Sequence, residues 1–209
     1  MSSIVVIGSV NLDIVATAER LPTPGETITG AELNRYPGGK GANQALAAKR
    51  LGADVCLVAR VGNDAAAEEA LALLRDGGVD LSGCEVVDDV PTGVALICVS
   101  KSGENQIVVA PGAYRMWTPE SLHIPSADAM LCHLEVTTET IAYAAANFDG
   151  FFCTNLAPAK NVEVTVLQRA DLVVVNESEA AWYGDSLAAC PGLIATTFGA
   201  DGAELSKHG

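Results

Sequence analysis

Four small groups of polar side chains sit where chemistry can be done. Asn11 and Asp13 stand two apart just beyond the β-branched run Ile4-Val5-Val6-Ile7 and Gly8. On an extended segment they project to the same side. An amide beside a carboxylate can hold the hydroxyls of a polyol, Asp13 accepting and Asn11 doing both. The same pair also fits an Asx turn. Lys40 and Asn43 belong to Pro37-Gly38-Gly39-Lys40-Gly41-Ala42-Asn43-Gln44, where three glycines within four positions run into an alanine-rich stretch closed by Gly52. That pattern is a flexible loop feeding a helix, and a small polar ligand can approach it without meeting a Cβ atom. A tight turn ahead of a core helix has the same signature. The Walker spacing G-x-x-x-x-G-K-[ST] is absent. Glu135 follows the apolar run Ala129–Leu134, at the strand end where open α/β sheets bind ligands. Asn176 and Glu179, three apart at a strand-to-helix junction, can organise a hydrated magnesium ion or a phosphate. The same spacing is also that of a capping box.

The elements that position these groups alternate. Ile4–Ile7, Val55–Ala59, Ala129–Leu134, Gly150–Asn155, Leu172–Val175 and Leu193–Gly199 read as strands buried on both faces, as in a parallel sheet. Helices are expected from Ala45 to Gly52, over 65–75, over 137–146, from Val162 to Gln168 and after Asn176, with Asn63-Asp64 as an N-cap and a short helix opened by Thr118-Pro119. Residues 14–37 break this rhythm with Pro22, Pro24, Gly25, Gly30 and Pro37 around the β-prone Glu26–Thr29. Val86-Val87 and then residues 92–110 form a hairpin signature with a Ser-Gly-Glu-Asn turn. Within these lid segments, residues 26–36 and 92–110 are expected to pair as a small antiparallel lid over the Gly38–Asn43 loop. Its apolar face, Val94, Leu96 and Cys98, would pack on a second copy or on the core.

The chain has 209 residues, 49% hydrophobic and 18% charged, with a net charge of −14. That length suits one domain, and the acidic balance argues against a nucleic-acid or anionic-membrane surface. Six cysteines without a C-x-x-C pair read as free thiols of a cytoplasmic protein. No export signal or membrane span is visible. His123, His133 and His208 are scattered, and His133 reads as a core residue.

Taken together, Asn11-Leu12-Asp13, Pro22-Thr23-Pro24-Gly25-Glu26-Thr27, Gly38-Gly39-Lys40-Gly41-Ala42-Asn43-Gln44, Thr92-Gly93-Val94-Ala95, His133-Leu134-Glu135, Asn155-Leu156-Ala157-Pro158-Ala159 and Asn176-Glu177-Ser178-Glu179-Ala180 occur in an order that resembles the ribokinase-like (PfkB) carbohydrate kinases. The resemblance runs the whole length. It implies a three-layer α/β/α sandwich with a small β-lid, a homodimer formed through the lid, and ATP, Mg2+ and a monovalent cation as cofactors. By it, Asn11, Asp13, Gly39, Lys40, Asn43 and Glu135 line a sugar site. Asn176 and Glu179 form the N-x-x-E motif for magnesium and phosphate, and Asn176, Thr197, Gly199 and Gly202 border the nucleotide. The implied activity is phosphorylation of the primary hydroxyl of ribose or a similar small sugar.

The departures are equally specific. The family's second signature, D-T-x-G-A-G-D, does not occur in residues 1–209, and the resemblance places it beyond Gly209 together with the general-base aspartate and the monovalent-cation site. Residues 1–209 are therefore expected to form a single, C-terminally truncated domain without a catalytic residue of its own. Asn155-Leu156 replaces the usual Asn-Pro, and the interval from Glu179 to Thr196 is too short for a full helix. The alternative reading is a non-catalytic relative that only binds sugar or dimerises through its lid.

Overall fold

The computed structural model describes residues 2–207, so His208 lies outside them. In chain order the first half consists of β1 (Ser3–Ile7), β2 (Asn11–Ala18), β3 (Glu32–Gly38), α1 (Lys40–Arg50), β4 (Asp54–Gly62), α2 (Ala65–Asp76), β5 (Cys84–Val87), β6 (Gly93–Ser100) and β7 (Asn105–Ala110). The second half consists of β8 (Ala129–His133), α3 (Thr138–Ala146), β9 (Phe151–Asn155), α4 (Val164–Arg169), β10 (Leu172–Asn176), α5 (Glu177–Tyr183), β11 (Leu193–Thr197) and β12 (Ala203–Ser206). Short 3-10 turns fill several connections, including Gly184–Ala189, where the sequence left no room for a helix. No helix among the described residues is long and apolar enough to cross a membrane.

The main sheet has the order β12-β11-β10-β9-β8-β1-β4-β5 and is parallel except for β12, which runs antiparallel to β11. Its strands are apolar on both faces because helices cover both. Successive side chains of β1 show this: Val5 and Ile7 enter a core with Met130, Phe152, Ile141, Val166 and Val173, under α3 and α4. Val6 enters a second core with Leu57, Leu46, Leu71 and Leu74, under α1 and α2. The result is a three-layer α/β/α sandwich. Asp64 caps α2, its Oδ1 accepting from Ala67 N at 2.9 Å. The same carboxylate accepts from Thr92 N at 2.9 Å and from Thr92 Oγ1 at 2.6 Å, which ties the start of β6 to the head of α2.

The second sheet, in the order β3-β2-β6-β7, differs from the expected lid in three ways. First, the pair 93–110 does not meet the 32–38 strand directly. β2 lies between them, antiparallel to β3 but parallel to β6, so the sheet is mixed. The Asn11–Ala18 strand was not foreseen because its alternation, Asn-Leu-Asp-Ile-Val-Ala-Thr-Ala, is weak. Secondly, the β-prone Glu26–Thr29 is not a strand. Glu26 instead accepts from Thr23 N and Arg20, closing a turn, and pairing begins only at Glu32. Thirdly, Val86-Val87 joins the edge of the main sheet through β4 and not the hairpin.

Of the expected apolar face, Leu96 is exposed, while Val94 and Cys98 are half-buried. Cross-strand register places Leu96 beside Val108, and Ala16 opposite Leu33 on the same face, leaving Leu33 67%, Leu96 52% and Val108 67% exposed. A bidentate pair, Arg35 Nε to Glu69 Oε2 at 2.8 Å and Nη2 to Oε1 at 2.9 Å, fastens β3 to α2.

Candidate active site

The site forms where β1 ends, β2 begins and α1 starts. The glycine stretch is not a loop. β3 runs through Gly38 and α1 begins at Lys40, so Gly39 alone makes the connection. Its φ of 98° is the left-handed region that L side chains rarely adopt, and a Cβ there would lie 2.7 Å from Ser9 O. One residue into the helix, a Cβ on Gly41 would fall 2.6 Å from Gly8 Cα. These two absences of a side chain let the first turn of α1 sit on the end of β1, with Ala42 N donating to Ser9 O at 3.0 Å.

Asn11 and Asp13 lie on one face of β2, opposite Gly38 and Tyr36 of β3. The Asp13 carboxylate occupies the space a Gly38 side chain would need. Burial, and then the negative charge of Glu135, raise the Asp13 pKa above the ordinary carboxylate range. Asn11 is 4% exposed and its Oδ1 has no hydrogen-bond partner among the described residues. An orphaned buried acceptor of this kind costs about 1–3 kcal/mol. It is satisfied if a ligand hydroxyl arrives.

Glu135 is the hub. Its Oε2 accepts from the buried Ser9 hydroxyl, and its Oε1 lies 3.7 Å from Lys40 Nζ. His133, fully buried, sits beneath, with Ser9 N 3.1 Å from Nε2 and Glu135 N 3.2 Å from Nδ1. Burial, aided by Lys40 and Lys160, pushes its pKa down to about 3. The ring is therefore neutral at physiological pH, and only one of its nitrogens can accept. His133 is thus the core residue its apolar strand suggested, but one whose single acceptor nitrogen takes the N–H of either Ser9 or Glu135. Ser9 was missed by sequence reasoning. Its one signal was its place at the C-terminal end of the first buried strand.

The structure thus brings together Asn11, Asp13, Gly39, Lys40 and Glu135, through the shared face of β2, the packing of Gly39 on the Asn11 backbone and the Lys40–Glu135 pair, while the exposed Asn43 lies with Lys40 on the neighbouring cavity. On the α5 side of Lys40 a cavity of about 350 Å³ is lined by Lys40, Asn43, Gln44, Asn155, Asn176, Glu179 and Thr197. Gly199 and Gly202, both at positive φ, lie in the turn beyond Thr197 and do not line that cavity.

Asn176 and Glu179 form a complete capping box. Asn176 Oδ1 accepts from Glu179 N, and Glu179 Oε2 accepts from Asn176 N, each at 2.8 Å. The box leaves the Glu179 Oε1 atom uncommitted beside the cavity. No group of three or more His, Cys, Asp or Glu side chains among the described residues is disposed to hold a metal ion. One carboxylate at a phosphate-sized cavity fits magnesium, which keeps most of its waters and leans on substrate phosphates.

Comparison with known proteins decides the family. The model of the pfkB family carbohydrate kinases matches residues 1–206. The chain belongs to that family. It is 34% identical to the ribokinase of Bacillus subtilis, over 99% of this chain and 75% of the relative. It is 37% identical to the bifunctional ribokinase/ribose-5-phosphate isomerase A of Fructilactobacillus sanfranciscensis, over 87% of this chain and 35% of that protein. The chain thus spans about a third of the bifunctional relative and three quarters of the Bacillus ribokinase. Among solved structures, the ribokinase of Thermotoga maritima superposes with a TM-score of 0.90 at 29% identity, over 99% of this chain and 75% of that one. Ribokinase of Arabidopsis thaliana, solved with ribose and ATP, gives 0.84 at 26% identity, over the same shares.

Proposed function

We propose that this chain supplies the sugar- and nucleotide-binding residues of an ATP-dependent sugar kinase acting on the primary hydroxyl of ribose or a similar small sugar. The observation that carries the reading is the Lys40–Glu135 pair set beside Asp13, on the strand face that Asp13 shares with the buried, unpartnered Asn11. Asp13 accepts from sugar hydroxyls, and Asn11 and Asn43 both donate and accept. Gly39, packed on Ser9 and the Asn11 backbone, sets the first turn of α1 beside the sugar. Lys40 and Glu135 close the pocket, and Glu135 is held in place by Ser9 before a ligand enters. Phosphoryl transfer is mostly positioning and charge neutralisation, and these residues supply the positioning.

The donor nucleotide approaches over Asn176, Glu179 and Thr197, with Gly199 and Gly202 bordering it. Magnesium, held through Glu179 and Asn176, supplies charge neutralisation at the phosphates. Residues 1–209 contain neither the general-base aspartate nor a site we assign to the monovalent cation. The names of the relatives, ribokinases among them, and the ribose and ATP bound to the Arabidopsis structure support the choice of substrates. Cysteines that are all free support a reducing, cytoplasmic setting. The exposed Leu33, Leu96 and Val108 support a homodimer joined through the second sheet.

Calorimetric titration with ribose tests the reading. Saturable binding that Asp13→Asn weakens at least tenfold is expected. Binding that is absent in the wild type, or indifferent to Asp13, would overturn it.

A further inference from the structure

A second cavity, of about 220 Å³, lies across Glu135 from the nucleotide side. Val109 of β7, Pro111 and Pro158 wall it, and Tyr114, Arg115, Glu135 and Lys160 supply its polar groups. It shares Glu135 with the sugar half-site. Register places Asp13, Ala95 and Val109 in one cross-strand row, hence on one face of the second sheet. The Lys40–Glu135 pair stands between the two cavities, since Lys40 lines the nucleotide-side one and Glu135 this one.

Two cations, Arg115 and Lys160, face one carboxylate, Glu135, across this cavity. Arg115, exposed on the 3-10 turn Gly112–Arg115, makes no ion pair among the described residues. Lys160 donates its Nζ to Leu134 O at 2.6 Å. Its pKa is lowered, by burial first and then by Arg115, with Glu135 acting in the opposite sense. Glu135 is meanwhile engaged by Ser9 and Lys40. In a chain of net charge −14, a small cavity where two cations face a single carboxylate, itself 3.7 Å from a third cation, Lys40, is a site for an anion. Guanidinium and ammonium donors together match the oxygens of a carboxylate or phosphate.

Resting on the sugar-kinase reading, we propose that the cavity between Arg115 and Lys160 is an oxyanion subsite. It takes a phosphate or carboxylate carried by the sugar on the carbon remote from the hydroxyl that is phosphorylated. The substrate class is then an anionic sugar, with the neutral sugar as its weaker analogue. Free inorganic phosphate shares this chemistry and is the alternative source of the anion.

Calorimetry with ribose, ribose 1-phosphate and inorganic phosphate separates the cases, on the wild type and on the double variant Arg115→Ala/Lys160→Met, with a thermal melt to verify folding. Ribose 1-phosphate is expected to bind at least about tenfold tighter than ribose, and that ratio to fall to about one in the variant. Ribose bound without any preference for ribose 1-phosphate, and no binding of phosphate alone, overturns the subsite and leaves the sugar reading standing. Phosphate bound alone and lost in the variant, with no preference for ribose 1-phosphate, reassigns the site to free phosphate and overturns the anionic-sugar claim. Binding of neither sugar overturns both readings.

Discussion

Replacing Asn11 by alanine separates a ligand-binding side chain from a structural one, because the two roles predict opposite balances of stability and affinity. Asn11 is nearly fully buried, and its Oδ1 finds no partner in the protein. Gly93 is held against it so closely that a Cβ there would lie 2.4 Å from that oxygen. Without ligand the orphaned acceptor costs about 1–3 kcal/mol, which truncation recovers. Against this stands the packing lost with the carboxamide, of similar size, so the net change is within about 1 kcal/mol. For a chain of this length that is a shift in Tm of at most about 4 °C in either direction. Ribose binding behaves differently. A buried sugar hydroxyl deprived of its partner loses about 1–3 kcal/mol, which weakens the complex by about 5- to 150-fold. Differential scanning calorimetry and a ribose titration on the same preparation measure both. A Tm lowered by more than about 8 °C together with unchanged ribose affinity would refute the reasoning and make Asn11 a turn residue.

Four further outcomes are expected. Gly41→Ala places a Cβ 2.6 Å from Gly8 Cα, backbone against backbone, so it should destabilise the fold by at least about 2 kcal/mol in urea unfolding and weaken ribose binding with it. Glu179→Gln keeps an acceptor for Asn176 N–H but removes the charge, so Tm should hold within about 2 °C while the magnesium dependence of nucleotide binding is lost. An unaltered magnesium dependence would leave only the cap.

Asp64 is pushed up by burial, but hydrogen bonds from Thr92, Ala67 and Ala66 outweigh this and hold its pKa below the ordinary 3.8. Its folded value being the lower, its contribution is present above that pH and is lost as pH falls through the folded pKa. Asp64→Asn should therefore narrow the stability gap to the wild type between pH 7 and pH 3, and an equal gap at both would count against it. Because Glu135 helps raise the Asp13 pKa, Glu135→Gln should move the acid limb of ribose binding to lower pH, a shift that a pH series of titrations reads directly.

How much of this was legible before the fold was known depends on the range of the interactions concerned. Ile4–Ile7, Leu172–Val175 and their counterparts announced a parallel sheet because a strand buried on both faces must be apolar at every position, a constraint each run carries within itself. The N-caps at Asp64 and Asn176 were readable for the same reason, since a capping bond spans three residues. The spacing of Asn176 and Glu179 was compatible with both a cap and a metal ligand, and the structure shows how one carboxylate leaves room for both, one oxygen in the box and one free.

What no local pattern contained was pairing at a distance. β2 went unseen because its alternation is weak and its pairing is set by β3 and β6, some twenty and eighty residues away. The glycines of 38–41 looked like a loop because their reason is steric and remote: Gly39 and Gly41 are bare so that α1 can touch Ser9 and Gly8. Ser9 and Glu135, 126 residues apart, meet only because β1 and β8 are neighbours in the sheet. Arg115 and Lys160 carry no motif at all, and their shared cavity exists only where the turn after β7 crosses the loop after β9. Side-chain type and short spacing thus determined the class of fold and the candidate groups. Strand order in the two sheets decided which of those groups face one another, because charge and hydrogen bonding act over a few ångströms whatever the separation along the chain.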